Sequence, residues 1–394
     1  MEKVWTKPLI GDRPTRFSVR GFYLPVFLAV LVAKLMVYLL LDVRDLTALL
    51  NLGGGNDGDY YDAFARGEVD VATSLWPLLL RALNNWGLYT RDGVAFVLFL
   101  MGAIGIPWLV AKIVVGGIPK GRDLVRSAWL GALLLSLYPT LFFYTFDIYR
   151  DVFMLFLFLA AVLALQRAET STSWLMRSFW FSVYLFLSVV LFQLREYLGF
   201  AVLISWLVTK VWRRLRLSLP NATLLVMLHF VALYTGHQLG IFVPLYAYRD
   251  SGIFEEGGST FGLRTQDSPM SFISFFALSF VFQIFGVYIN SPKALILFVV
   301  ESLPFVVMLF SLWKRRAFLD FTSRYLLTFS LIYATVFVLG NDNLGTAARL
   351  RMFVYVSVLI MWLRVSILYW RSHFKTIARL QQQDIVLKQG PRRD

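Results

Sequence analysis

The sequence predicts an all-α, polytopic integral membrane protein with about ten transmembrane helices, and three observations predict it. Apolar residues make up 58% of the 394 residues and charged residues only 16%, a balance that soluble domains do not have. Apolar segments of roughly 15 to 24 residues recur along the whole chain, bracketing the ~20 that a bilayer core requires. Basic residues are also sorted by side. With the N-terminus in the cytoplasm, 26 of the 38 Lys and Arg fall inside, 11 fall outside, and Lys34 lies within the first span. Both termini are then cytoplasmic.

The expected spans are residues 22–42, 93–116, 127–144, 152–166, 178–193, 198–212, 222–240, 294–313, 325–340 and 353–370. The net charge of +14 is read as a topology signal and an attraction to membrane lipids, with no nucleic acid as partner. The absence of cysteine excludes disulfides and thiolate chemistry. The only histidines, His229, His237 and His373, form no close pair, which argues against a His-based metal site. His229 and His237 are expected to be satisfied within the bundle.

Residues 1–21 form a basic cytoplasmic N-terminus. The apolar run that follows is too long for a signal peptide and lacks a small-residue cleavage site, so it opens a single membrane domain over 22–370. Lys34 within it is expected to snorkel or to pair inside the bundle. The first extracytoplasmic loop, 43–92, carries Asn56-Asp57-Gly58-Asp59-Tyr60-Tyr61-Asp62-Ala63-Phe64, three carboxylates in six positions. Asp57 or Asp59 could cap a short helix starting near Tyr60, but capping does not explain all three. From Ser74 to Leu88, the residues Leu75, Trp76, Leu79, Leu80, Leu83 and Trp86 recur at helical spacing, with Arg81, Asn84 and Asn85 opposite and Pro77 in the first turn. That is an interfacial amphipathic helix, which would hold the aspartates at headgroup depth.

Further along, Pro139 is expected to kink the third span before a turn carrying Asp147, Arg150 and Asp151. A second tight turn holds Arg195, Glu196 and Tyr197. As purely structural pairs, Arg150 would meet Asp147 or Asp151, and Arg195 would meet Glu196. The large fourth extracytoplasmic loop, 242–293, carries Arg249 and Arg264. Its apolar stretch 271–289 is read as interfacial or re-entrant, because an eleventh span would place Lys314, Arg315, Arg316 and the basic tail outside. The last outer turn, Asn341 to Arg351, holds Arg349 and Arg351 together, and residues 371–394 form a basic cytoplasmic tail. No repeat is visible.

The notable charges gather on one side. A carboxylate there can act as general base on an acceptor hydroxyl, while arginines grip a phosphate leaving group. The candidates are Asp57, Asp59 and Asp62 for catalysis. Arg150, Arg195, Arg249, Arg264, Arg349 and Arg351 are candidates for donor phosphate, and Tyr60, Tyr61, Trp76, Glu196 and Tyr197 for sugar or acceptor. A transporter would instead show charged or broken helices at mid-membrane, or inverted repeats, and neither is clear in the sequence.

Asp57-Gly58-Asp59-Tyr60, with Phe64 and Trp76-Pro77 downstream, resembles the first-loop aspartate motif of the class C membrane glycosyltransferases (GT-C). The Tyr138-Pro139, Arg195-Glu196-Tyr197 and Gly345-to-Arg351 stretches resemble bacterial family 39 and O-antigen polymerase-like envelope proteins. The resemblance implies a polyprenyl-phosphate-sugar donor, a glycan or lipid acceptor, and a bacterial inner membrane with the site facing the periplasm or exterior. It implies that Asp57 or Asp59 serves as base or orients the acceptor. In some members a divalent cation, Mg or Mn, sits at such aspartates. The chain shows no resemblance to the long soluble C-terminal domain of the oligosaccharyltransferases, so transfer of a whole oligosaccharide to protein is not expected. The alternatives are a polymerase or ligase using a polyprenyl-diphosphate oligosaccharide, and a lipid or solute transporter.

Overall fold

The computed structural model describes residues 22–41, 55–119, 121–212, 214, 217–249, 261, 269–289 and 291–389, and among them it is all-helical, with no strands. In chain order the helices are α1 (Tyr23–Leu40), α2 (Gly55–Arg66), α3 (Leu75–Asn85), α4 (Arg91–Val115), α5 (Arg122–Ser136), α6 (Pro139–Phe143), α7 (Arg150–Thr170) and α8 (Trp174–Leu194). They continue as α9 (Glu196–Trp212), α10 (Leu219–Gln238), α11 (Val243–Arg249), α12 (Pro269–Phe285), α13 (Pro292–Lys314), α14 (Phe321–Gly340) and α15 (Leu344–Gln389).

Among the described residues, eight helices are long and apolar enough to cross a bilayer: α1, α4, α7, α8, α10, α13, α14 and α15 through His373. This is an integral membrane protein. Eight of the ten expected spans fall on these helices; 198–212 falls on α9, of only 17 residues, and 127–144 is divided between the 15-residue α5 and the short α6. The third expected span, 127–144, is two pieces. Tyr138 is extended because the residue before a proline is pushed out of the helical region, and Pro139 then restarts the chain as the short α6.

Burial sorts the bundle. In the spanning windows of α7, α14 and α15, 72%, 72% and 78% of residues are buried, against 11 to 17% in α1, α8, α10 and α13, so the first three form the core and the others present apolar faces outward. Two long helices relax into a π turn, at Met101–Gly105 and Phe298–Ser302. Each π turn lies just before a proline, Pro107 or Pro304. The missing N–H and the ring's clash with the carbonyl four residues back are absorbed by widening the turn.

Two sequence expectations need correction. The aspartate helix α2 starts at Gly55, not near Tyr60, so Asp57 and Asp59 lie in its first turns, where negative charge suits the helix dipole. The last helix starts at Leu344, nine residues before the expected span, so Arg349 and Arg351 are helical rather than part of a turn. The expected re-entrant stretch forms α12, packed against α10, α14 and α15. Lys34 is buried with its ammonium 4.7 Å over the Phe142 ring. His229 meets Thr335 at 3.0 Å and His237 meets Tyr246 at 3.1 Å, both within the bundle as expected.

Candidate functional site

Helix α2 is short, polar and unable to stand alone, so its position depends on docking. Its apolar residues Tyr61, Phe64 and Ala65 are buried, and α3 packs beside it. The Trp76 indole donates to the Ile148 carbonyl at 2.9 Å, tying α3 to the segment that precedes α7. The Tyr60 hydroxyl donates to Val71 O at 2.6 Å and accepts from Thr73 N at 3.1 Å, which closes the loop between α2 and α3. Arg81 stacks 3.8 Å over the Phe64 ring and donates to the Phe64 carbonyl at 2.9 Å. Tyr60 and Trp76 are thus stitched into the scaffold.

Gly58 explains why the motif reads Asp-Gly-Asp. A Cβ at this position would lie 2.4 Å from Asp147 Oδ2 and 3.0 Å from Arg91 Nη2, so any larger residue would push against that ion pair. Arg91 donates to Asp147 from Nε at 2.9 Å and from Nη2 at 2.5 Å, and to Asp59 from Nη1 at 2.8 Å. Asp59 keeps 72% of its side chain exposed, while Asp147 is buried. One arginine therefore bridges the first-loop helix to the pre-α7 segment.

Two positions earlier on α2, Asp57 pairs with Arg349 from the start of α15. Arg349 Nε also faces Asp151 at 3.6 Å, and Asp151 takes Arg195 Nη1 at 3.3 Å from the α8–α9 junction. Arg150 donates to the Leu194 carbonyl at 3.2 Å in the same place. Four remote pieces of chain converge here: α2, the start of α7, the α8–α9 junction and the start of α15. The inner group holds Arg150, Arg195 and Arg349 against Asp57 and Asp151, three positive charges to two negative. Arg150 Nε and Arg349 Nε are buried without a hydrogen-bond partner.

Tyrosines wall this group. Burial pushes the Tyr61 phenol up to about 12, with Arg150 opposing and Asp57 and Asp151 reinforcing. Burial likewise raises Tyr149, helped by Asp147 and Asp57. Both therefore remain neutral hydroxyls at physiological pH. Tyr197 lies beside Arg195, whose guanidinium is 5.6 Å from its ring centre.

Not all candidates gather here. Asp62 accepts from Tyr89 at 2.7 Å and pairs with Arg66 at 3.1 Å, away from the arginine group. Glu196 is exposed; Arg195 turns to Asp151 instead, and Arg150 to a carbonyl. Arg249 is buried against Asp342 and the carbonyls of Asn341, at 2.7 Å, and Val338, at 3.1 Å, where it ties α11 to the end of α14. Arg264 lies outside the described residues.

Arg349 and Arg351 part company. Two residues on a helix are about 200° apart, so when Arg349 faces the aspartates Arg351 faces the core. There Arg351 meets Glu301 of α13 at 3.6 Å, both fully buried. Glu301 Oε1 accepts from the Thr140 backbone N–H at 2.8 Å and hydroxyl at 2.6 Å, satisfying the start of α6 after the Pro139 break. Gly286, with φ +61°, lets Arg351 lie against its backbone; a Cβ there would be 2.1 Å from Arg351 Nη1. Sequence reasoning missed Glu301, Arg91 and the role of Gly58. A lone acid inside an apolar span was the available signal for Glu301.

The metal expectation can be tested on geometry. Asp57 and Asp59 are two positions apart on α2 and turn to different arginines, so they do not converge on a common point. Among the described residues no three His, Asp or Glu side chains gather in a metal-binding group. The residues present do not fit a shared ion.

No known protein family, curated protein or solved structure matches this chain.

Proposed function

We propose that the protein is a GT-C-type membrane glycosyltransferase, moving a sugar from a polyprenyl-phosphate donor to a glycan or lipid acceptor on the extracytoplasmic face, in a bacterial inner membrane. The observation that carries this reading is the Asp57–Arg349 pair at the edge of a buried arginine group. It places a base candidate and a phosphate-binding candidate side by side.

In the proposed reaction the acceptor hydroxyl oxygen attacks the anomeric carbon. The bond from that carbon to the phosphate oxygen breaks, and its electron pair leaves on the polyprenyl phosphate. The hydroxyl proton passes to the Asp57 or Asp59 carboxylate. Arg349 would exchange Asp57 for the phosphate, freeing the carboxylate as the donor seats. Arg195 and Arg150 would then share the charge that grows as the diester becomes a monoester. Tyr61 and Tyr149, neutral and half-polar, would orient sugar hydroxyls.

The test is sugar transfer by Asp57→Asn and Asp59→Asn, singly and together, in reconstituted protein of normal expression. Loss of about 10²-fold or more in the double variant is expected; full activity would sink the reading.

The buried Glu301–Arg351 pair and the broken third span favour a second reading, a lipid or solute transporter, because intramembrane charges and interrupted helices often mark transport paths. It predicts uptake or flipping by proteoliposomes that is lost on Glu301→Gln and retained in Asp57→Asn.

A further inference from the structure

The opposite end of the bundle carries a site the proposed reaction does not use. Helix α14 runs 20 residues, about 30 Å, from the aspartate end to this one. There α10 begins, α13 ends and α14 begins, and between them lies a cavity of about 630 Å³ lined by Leu217, Ser218, Lys314, Arg316, Ala317 and Arg324. Three of the six lining residues are cations and none is acidic. Among the described residues neither Lys314 nor Arg316 meets a carboxylate within ion-pair distance, whereas Arg91, Arg195 and Arg349 at the aspartate end each pair with one. Asp320, at the start of α14, pairs with Arg364 and also acts electrostatically on Arg324.

The cations are aimed, not loose. Arg316 donates from Nε to the Leu217 carbonyl and from Nη1 to the Trp313 carbonyl, both at 2.9 Å, and lies 4.5 Å over the Trp313 ring. Arg324 donates to the Leu319 carbonyl at 3.2 Å and lies 5.2 Å from the Trp212 ring centre. The Lys314 ammonium lies 4.4 Å over Phe310. Holding like charges around a cavity costs repulsion that an anion would relieve, and the exposed Trp313 beside it is of the type that settles at headgroup depth.

The geometry points to a phosphate-binding site at this end of the bundle, taking the phosphodiester of an anionic lipid headgroup or a free phosphate. It lies at the end remote from the aspartates, so it holds a structural or regulatory ligand rather than the reacting one. A phosphate seated between Lys314, Arg316 and Arg324 would pin the α9–α10 loop to the α13–α14 turn, bracing the core helix α14 from below.

The test uses the delipidated full chain in detergent, with bound ligand counted by native mass spectrometry. The probes are phosphatidylglycerol, net-neutral phosphatidylcholine and inorganic phosphate. Wild type is expected to bind phosphatidylglycerol saturably and phosphatidylcholine at least ten-fold more weakly. Lys314→Gln/Arg316→Gln should weaken phosphatidylglycerol binding at least ten-fold, whereas Arg177→Gln, a cation away from the cavity, should leave it unchanged. Lys314 is exposed at a helix end, so Lys314→Gln alone keeps the fold and should give a smaller loss in the same direction. Competition by inorganic phosphate would assign the site to phosphate itself; its failure to compete would assign it to the lipid headgroup. Absence of saturable binding of both anionic probes, or equal binding by the double variant, would overturn the proposal.

Discussion

The two ends of the bundle hold charge in opposite ways. At the aspartate end carboxylates from distant parts of the chain hold the arginines: Asp57 holds Arg349, Asp151 holds Arg195, and Asp59 and Asp147 hold Arg91. At the other end Lys314 and Arg316 face a cavity without an acid in its lining. The first end is built before any ligand arrives, with its geometry set by long-range pairs. The second is short of negative charge. Preorganised, half-buried charge suits differential stabilisation of a reaction, whereas a basic pocket with no acid in its lining suits capture of an anion that stays.

The largest loss is expected at the pair beneath the aspartate end. Glu301→Ala leaves Arg351 buried without its carboxylate and Thr140 without its acceptor, and should cost about 3–5 kcal/mol, read by unfolding in detergent. Replacing both partners with apolar residues should recover most of the loss, and an unchanged stability in Glu301→Ala would remove this pair from the account. Next in size, Arg349→Leu should lower sugar transfer by about 10²- to 10³-fold with folding retained. Arg249→Leu should act on stability instead, because Arg249 ties α11 to α14 and stands apart from the arginine group.

Gly58→Ala tests the docking of α2. The added methyl meets Asp147 Oδ2 at 2.4 Å, so stability should fall by about 1–3 kcal/mol and transfer with it. The smallest effect is expected at the basic end, at the exposed Asp123–Arg371 pair. Arg371 holds the Asp123 carboxyl below its usual value. A depressed carboxyl contributes stability that is present above its unfolded value and lost as pH falls through the lowered one. Asp123→Asn should therefore cost at most about 1 kcal/mol at neutral pH, and nothing once the pH is well below about 4.

The sequence made the class and much of the fold readable, and the reasons are local. Apolar length announced the spans, and side-chain spacing announced α3, which the structure gives as Leu75–Asn85 with Trp76 and Leu80 buried. Pro139 announced the break in the third span. The errors cluster where polar residues enter helices. Arg349 and Arg351 looked like turn residues because they interrupt an apolar run, yet α15 carries them inward to Asp57 and Glu301. The pairing of Asp57 with Arg349 joins residues 292 apart, and no spacing rule reaches that far. Of the candidate site, the aspartates and outer arginines were visible as types, but their partners were not. Asp62 and Glu196 were credited by proximity in sequence alone, and they face Tyr89 and solvent.

The most direct test of the central claim is a structure of the protein in nanodiscs supplied with a polyprenyl phosphate, asking where the phosphate lies. The account predicts it within ~3 Å of Arg349, with Arg195 and Arg150 alongside and Asp57 released toward the exposed face. Phosphate density elsewhere, with the Asp57–Arg349 pair intact and a cavity opening along the Glu301–Arg351 pair, would contradict it.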